Sequence, residues 1–545
     1  MSGKVKIILA IGAISIVVAG CANSNDKDAT EGMDTSNMNV ESTQTLGSNN
    51  PNNIMTNETT RVDGKEYTIT AQASNLKVSE EKTLPVWTFN NSVPGPEIRV
   101  KVGETVKINL KNELEEPVSI HWHGYPVPND MDGIPGVTQD AVAPGKTFTY
   151  EFKATVPGTY WYHSHQDSVN QLDKGLYGAL IVEDPEDSYD RDYTLVLDEW
   201  MSSSNKDMEA NTSDSNQKNN GGMEGIGHGK MDIGDMKGMD HSQMNMSDMG
   251  SMEGHDMSMY DLYTINGKAG DAIDKLVVKE GEKVRIRLIN AGYLTHTMHL
   301  HGHEFKVVAS DGQPVNSPAV ITDQGIAIAP GERYDLEFTA NNPGSWLLEE
   351  HGNDERVKNM RAVIAYEGSA VQTADTSNAS ESLPQFDLMN YGKQAETKFS
   401  LNQSFDQDVL LNLNTEMKDG EMVYTINGKV FPDTDPIKVN KGEKVKVTFV
   451  NRSMTDDHPM HLHGHFFQVL SKNGQPLEGA PVIKDTLNVK PGEEYVVAFE
   501  ADNPGDWMFH CHDLHHASAG MVTDVKYNDY QSNYTPDPNV GNKPE

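Results

Sequence analysis

The sequence predicts an all-β protein built from three consecutive antiparallel β-sandwich domains. Three observations predict it: motifs that recur at a fixed interval, short strand-like runs cut by Gly and Pro, and no long amphipathic helical pattern. Tyr263-Thr264-Ile265-Asn266-Gly267-Lys268 recurs from Tyr424, 161 residues on. His296-Thr297-Met298-His299-Leu300-His301-Gly302-His303 recurs from His458, 162 residues on. Asn342-Pro343-Gly344-Ser345-Trp346 recurs from Asn503, again 161 residues on. A weaker first copy shows in Gly103-Glu104-Thr105-Val106 and Pro157-Gly158-Thr159-Tyr160-Trp161.

The elements follow in chain order. Lys4 and Lys6 precede an apolar run, Ile8 to Val18, that is too short to span a bilayer, and Val18-Ala19-Gly20 ends at Cys21. This reads as a secretory signal over 1–20, and it resembles a bacterial lipobox, which implies cleavage before Cys21 and lipid on its thiol; an ordinary signal peptide cut nearby is the alternative. Residues 21–60 are rich in Asn, Ser, Thr, Asp and Gly and read as a flexible tether. The sandwiches are placed at 61–185, 186–372 and 395–530, with a linker at 373–394 and a tail at 531–545. Runs such as Val106-Lys107-Ile108-Asn109-Leu110 supply the strands of the first. An insertion at 202–259 interrupts the second. It is loaded with Met and His among Gly, Asp, Ser and Asn, so it cannot be packed core.

Composition narrows the function. A chain of 545 residues exceeds a single core, consistent with about three domains. Acids outnumber bases 81 to 44, for a net charge of −37, which argues against a nucleic-acid partner and suits cations. Two cysteines, Cys21 and Cys511, exclude a disulfide scaffold.

Four histidine groups carry the chemistry: His121-Trp122-His123, His163-Ser164-His165, His458-Pro459-Met460-His461-Leu462-His463, and His510-Cys511-His512 followed by His516 and Met521. On an extended strand, residues i and i+2 face the same way, so each His-x-His pair offers two imidazoles on one face. Cys511 then faces opposite to His510 and His512, and one strand can touch two metal sites. A thiolate, two imidazoles and a weak axial thioether make a blue-copper electron-transfer site, and His458, Cys511, His516 and Met521 supply that set. Zinc is the rival metal for a Cys/His site, but the further histidine pairs exceed an ordinary structural zinc site.

From about residue 61 to 528 the chain resembles the three-domain multicopper oxidases. The resemblance implies cupredoxin-like Greek-key sandwiches and four copper ions. By position, His121 and His461 would bind the type 2 copper. His123, His163, His165, His463, His510 and His512 would bind the type 3 pair. His458, Cys511, His516 and Met521 would form the type 1 site, the spacing favouring His516 over His515. Substrate would deliver one electron at a time to the type 1 copper. Cys511 and its neighbours would pass electrons to the trinuclear cluster, where four reduce dioxygen to two waters. Asp132, in Met131-Asp132-Gly133, matches the family acid near the type 2 copper and is a candidate proton donor or orienter; a turn aspartate before Gly133 is the alternative. Ala517 stands where several bacterial members carry a second acid, so no proton relay is expected there.

The second domain keeps His296, His299, His301 and His351 but has Glu349, Glu350 and Glu355 in place of His510, Cys511 and His516. Without a thiolate no blue copper can form, and a decayed duplicate is expected, with a mononuclear accessory metal site as the alternative. Thioethers select Cu(I), so Met231, Met236, Met239, Met244 and Met246 of the insertion are candidates for Cu(I) capture, with simple disorder without metal binding as the alternative. The insertion resembles the Met-rich segments of copper-tolerance members. Asp456, Asp457 and Asp513 adjoin the type 1 ligands and are candidates to hold a departing Cu(I), with solvated loop acids as the alternative.

These features lead to a cuprous oxidase serving copper tolerance, with dioxygen and Cu(I) or another small reductant as partners. The alternatives are a laccase-like oxidase of phenols, Fe(II) or Mn(II), and a copper-buffering protein with little turnover. A nitrite-reductase-like enzyme is disfavoured, because mononuclear chemistry does not need the paired His163/His165 and His510/His512. The chain is expected to act as a monomer on the outer face of a bacterial membrane, held only by lipid on Cys21.

Overall fold

The computed structural model describes residues 61–63, 65–202, 259–352, 355–368 and 383–544. The signal segment, the tether with Cys21, and Met231, Met236, Met239, Met244 and Met246 lie outside the described residues, as does the side chain of Glu355.

Two sheets face each other in each of three sandwiches. In the first, one sheet runs Thr83–Phe89, Glu66–Lys77, Thr105–Asn112, Thr147–Lys153, and the other runs Arg61–Asp63, Gly95–Lys101, Tyr177–Glu183, Gly158–His163. The period-2 pattern places Val106, Ile108 and Leu110 inward with no exposure, against Trp122, Tyr150 and Tyr162. The second sandwich has sheets of six and five strands between residues 191 and 366. The third repeats it between 407 and 527, with sheets of seven and five strands. Helices among the described residues are short: Ser168–Asp173 and Leu514–Ser518 are single turns, and none is long and apolar enough to cross a membrane.

The repeat is visible in the register. In the third sandwich, strand His458–Leu462 pairs with Asp506–Cys511 so that Met460 opposes Cys511 and His461 opposes His510. In the second, Met298 opposes Glu350 and His299 opposes Glu349.

Two connecting segments are integral to the packing, and the described flanks of the insertion pair with each other. Strand Arg191–Trp200 pairs with Leu262–Ile265, so the insertion leaves and returns at one edge, and Ser202 is hydrogen-bonded to Asp261 there at 2.6–2.7 Å. Leu388, Met389 and Tyr391, between the second and third sandwiches, are buried in the apolar cluster that both share. The tail runs back across the first sandwich: Tyr534 donates to Asp140 at 2.5 Å, and the Asn542 side chain accepts from the Ala141 amide at 2.9 Å.

Candidate metal centre

The expectation that each His-x-His pair lies within a strand needs correction. Strand Gly158–His163 ends at the first histidine of its pair, His458–Leu462 ends between His461 and His463, and Asp506–Cys511 ends between His510 and His512. His121 makes only an isolated bridge to His163. The physical reason is hydrogen bonding. The Ser164 and Cys511 carbonyls, at or just past strand ends, turn to accept from the Nδ1 of His163 and His510.

The first and third sandwiches bring eight imidazoles together, all almost fully buried. His121 stacks on His463 with ring centres 3.9 Å apart, and His123 stacks on His461 at 3.8 Å. His163 and His165 approach from the first sandwich, His510 and His512 from the third. Donor atoms of His121, His461 and His463 lie within 4.8 Å of one another, as do those of His121, His123 and His163, and of His165, His463 and His510.

The second nitrogen of nearly every ring is tied down by the surrounding chain. The Nδ1 of His121 donates to the Asp132 carbonyl at 2.9 Å, that of His163 to the Ser164 carbonyl at 2.9 Å, and that of His510 to the Cys511 carbonyl at 3.0 Å. His461 Nδ1 lies 3.1 Å from the Asp485 carbonyl, and His463 Nδ1 donates to Asp132 Oδ2 at 3.0 Å. His123 is reversed, its Nε2 lying 3.0 Å from Thr486 Oγ1. The inward nitrogens left over have no hydrogen-bond partner: Nε2 of His121, His163 and His461, Nδ1 of His123, and both nitrogens of His512. His463 and His510 face each other Nε2 to Nε2 at 2.9 Å, two lone pairs that repel unless a cation joins them.

Buried orphan nitrogens cost about 1–3 kcal/mol each. So many aimed at one point fit resident metal ions and little else. Burial, then neighbouring imidazoles, pushes His123, His163, His463, His510 and His512 well below the usual histidine range. Burial lowers His165 to about 3. These six rings are therefore neutral, with lone pairs available to a metal.

On the other face of the same strand, Cys511 Sγ lies 3.8 Å from His458 Nδ1 and 3.6 Å from His516 Nδ1. His458 Nε2 is 2.7 Å from Ser453 Oγ, and His516 Nε2 is 3.2 Å from Asp513 Oδ2. These partners take the Nε2 protons and turn both Nδ1 lone pairs toward sulfur. Met521 is buried beside them, and its carbonyl accepts from the Cys511 amide at 3.0 Å. One thiolate and two imidazoles beside a buried thioether fit a copper of the electron-transfer kind. His515 turns elsewhere, its Nε2 3.1 Å from the hydroxyl of Tyr260.

Asp132 touches two rings: beyond its bond to His463, its Oδ1 lies 3.2 Å from His121 Nδ1. Asp456 accepts from Thr415 Oγ1 at 2.6 Å, and Asp457 from Asn488 Nδ2 at 2.8 Å, both half-buried beside the cysteine site.

Several residues of the centre were not singled out from sequence. Asp485, fully buried, lies 3.3 Å from His123 Nε2 and accepts two bonds from Arg333 of the second sandwich. Burial alone would raise its carboxyl; the Arg333 guanidinium outweighs that and holds it below the usual carboxylate range. Gly124, at φ +75°, must lack a side chain, because a Cβ there would sit 2.3 Å from Arg333 Nη2 and 2.4 Å from Asp485 Oδ2. Gly331, at φ +83°, is less tight: a Cβ there would sit 2.9 Å from His512 Cγ and 3.0 Å from His123 Cε1. The tail also takes part, for the Pro544 carbonyl accepts from His165 Nδ1 at 2.5 Å. No local pattern announces these contacts: Asp485 with Arg333 and His123, Gly124 and Gly331 with the side chains they pass, and Pro544 with His165 are all more than 100 residues apart.

Comparisons with known proteins agree with this geometry. Family models described as multicopper oxidase match residues 70–187, 191–369 and 402–531. The chain is 32% identical over 461 residues to a multicopper oxidase of Mycobacterium tuberculosis, covering 81% of this chain and 82% of that one. It is 26% identical over 568 residues to copper resistance protein A of Escherichia coli, covering 85% and 92%. A crystal structure of a multi-copper oxidase from Pseudomonas thermotolerans superposes with a TM-score of 0.60 at 25% identity, covering 86% of this chain and 100% of that one. With that donor set, fold and kinship, the chain belongs to the multicopper oxidases, copper-dependent oxidoreductases that couple oxidation of a reductant to reduction of dioxygen.

Proposed function

We propose that the chain holds four copper ions and oxidises Cu(I) to Cu(II) outside the cell, in the service of copper tolerance. His458, Cys511, His516 and Met521 would hold the type 1 ion; His121 and His461 the type 2 ion; and His123, His163, His165, His463, His510 and His512 the type 3 pair. When bound, these ions supply one-electron oxidation at the cysteine site and four-electron reduction of dioxygen to two waters at the histidine cluster.

The chain's own residues organise that chemistry. Cys511 and His510 are adjacent in sequence, and the His510 Nδ1–H bond to the Cys511 carbonyl adds a second, short link between the two sites. Burial of all eight cluster histidines keeps bulk water off the rings, so a buried acid in contact with them is placed to hand on protons. Asp132 is the acid in contact, its Oδ2 accepting the His463 Nδ1 proton, and we assign it proton transfer and ligand orientation.

One observation carries the choice of Cu(I). The insertion re-enters the fold at Tyr260, whose hydroxyl lies 3.1 Å from His515 Nε2, and His515 is the residue before the type 1 ligand His516. Cations gathered by Met231, Met236, Met239, Met244 and Met246 are thereby tethered to the electron-entry site, where tethering raises their effective concentration. Asp456, Asp457 and Asp513 add negative charge there. Relatives named copper resistance protein A support the reading.

The signal-and-lipobox reading extends the proposal: cleavage before Cys21, lipid on its thiol, and a monomeric enzyme on the outer face of the membrane. The three sandwich domains at 61–185, 186–372 and 395–530 complete it.

Deletion of 203–258 tests the substrate. Oxygen uptake with Cu(I) should show a KM raised about tenfold or more with kcat less affected, while uptake with a bulky phenol is unchanged or faster. An equal fall with both substrates would contradict Cu(I) capture by the segment.

A further inference from the structure

The second sandwich preserves the third one's register, so its substitutions can be read site by site. Glu350 stands where the third sandwich has Cys511, and His296 where it has His458. That place is filled by protein. His296 Nδ1 lies 3.0 Å from Glu350 Oε2 and its Nε2 lies 3.0 Å from Glu199 Oε2, so both ring nitrogens are taken. With both nitrogens engaged, His296 is held as a doubly hydrogen-bonded ring and keeps no lone pair free.

The opposite face of the same strands is different. His299, His301, Glu349 and His351 stand where the third sandwich has His461, His463, His510 and His512. Donor atoms of the three histidines lie within 4.8 Å of one another. Their ring centres are 4.2, 5.0 and 5.4 Å apart. His299 is 3% exposed, and neither of its ring nitrogens has a hydrogen-bond partner. His351 Nε2 is likewise without one, 3.8 Å from Glu349 Oε1. His301 Nε2 lies 2.9 Å from that same carboxylate oxygen. A chain that had merely lost its metal would be expected to close this place as it closed the one around His296. Instead it keeps buried imidazole nitrogens without hydrogen-bond partners, His299 Nε2 having only Asp323 Oδ1 at 3.8 Å, at a cost of about 1–3 kcal/mol each.

We propose that the second sandwich binds one divalent ion of the Zn(II)/Cu(II) class through His299, His301 and His351, with the Glu349 carboxylate as fourth donor. Imidazole with carboxylate suits these borderline divalent ions, and with no sulfur donor the set disfavours Cu(I). The counterpart in the third sandwich is completed by four histidines of the first; this one closes on three nitrogens by itself, which makes it mononuclear. His301 and His351 are partly exposed, so the ion can exchange with solvent without opening the fold. The inference is independent of which substrate the enzyme oxidises.

The test uses the full chain loaded with copper, washed with a chelator to strip exchangeable ions, and titrated with Co(II) as a spectroscopic probe. The wild type should take up one Co(II) per chain with four-coordinate visible bands, displaced by one equivalent of Zn(II). His299→Gln and His351→Gln should each abolish the bands, and Glu349→Gln should weaken binding by about 10–100-fold. All three should keep the blue copper absorption and the oxygen uptake of the wild type, which reports an intact fold and intact resident sites. A chain deleted for 203–258 should keep the Co(II) bands. The proposal is overturned if the washed wild type shows no four-coordinate uptake, if both histidine variants bind Co(II) as the wild type does, or if deletion of 203–258 removes the binding.

Discussion

Arg333 of the second sandwich and Asp485 of the third form a fully buried, two-pronged ion pair, with Nη1 2.8 Å from Oδ1 and Nη2 2.6 Å from Oδ2, directly behind His461 and His123. Arg333 Nε also donates to the Thr159 carbonyl of the first sandwich at 3.1 Å. One side chain therefore joins all three sandwiches at the histidine cluster.

Removing one partner leaves the other charge buried and unpaired. Arg333→Met should destabilise the protein by about 3–5 kcal/mol. Arg333→Lys should recover little, because an ammonium cannot make the two parallel bonds. Denaturant unfolding of the copper-loaded chains measures this, and a change below about 1 kcal/mol for Arg333→Met would show that the pair is not a structural joint.

Asp132→Asn keeps the size of the side chain and removes its capacity to exchange a proton. Turnover should fall by about 10²–10⁴-fold with blue absorption and copper content retained. Steady-state oxygen uptake beside metal analysis separates the two effects. Lost copper at unchanged turnover per copper would reduce Asp132 to an orienting residue.

The tail makes a claim of its own through Pro544 and His165. Deleting residues 541–545 removes the carbonyl that orients His165, along with the Gly541 carbonyl contact to Gln166 and the Asn542 contact to Ala141. Copper affinity at the histidine cluster should fall by about 10–100-fold while the blue absorption stays. Chelator competition checks it; unchanged retention would mean that the tail is only a covering.

The buried histidines also set the acid stability of the metal-free protein. His165 and His458 are lowered to about 3 by burial, so both states are neutral above the unfolded value of about 6.5 and no stability is at stake there. As pH falls below about 6.5 the unfolded chain takes up protons that the folded chain refuses. Stability should then fall by at least about 1.4 kcal/mol per pH unit down to about pH 3. His296 runs the other way: burial opposes its charge, but the Glu199 and Glu350 bonds win and raise it to about 10. Its contribution is fully present below about 6.5 and is lost as pH rises through about 10. Unfolding free energies of the metal-free chain from pH 7 to 4 measure the acid limb, and a flat profile would contradict neutral buried imidazoles.

What the sequence made legible follows from the range of each interaction. The His-x-His pairs and the Cys511 set are local patterns, and the 161–162-residue repeat carries them from domain to domain. The third dimension was harder. Periodicity places paired histidines inside strands, yet His163, His461 and His510 stand at strand ends or just inside them, and the Nδ1 of His163 and of His510 bonds the carbonyl of the next residue. Asp485 is one acid among 81 acidic residues, and nothing near it in sequence points to Arg333, 152 positions away. The tail has the composition of a loop, and its role depends on a backbone carbonyl, which side-chain patterns do not encode.

The central claim is that Cys511 links substrate oxidation to the histidine cluster. The measurement that tests it most directly compares wild type and Cys511→Ser, both copper-loaded, by visible spectrum, copper content and oxygen uptake with Cu(I). A hydroxyl cannot replace a soft thiolate on copper. The expected result is loss of the blue absorption and of oxygen uptake with each reductant, with the copper of the histidine cluster retained. Blue absorption or substantial oxygen uptake surviving in Cys511→Ser would contradict it.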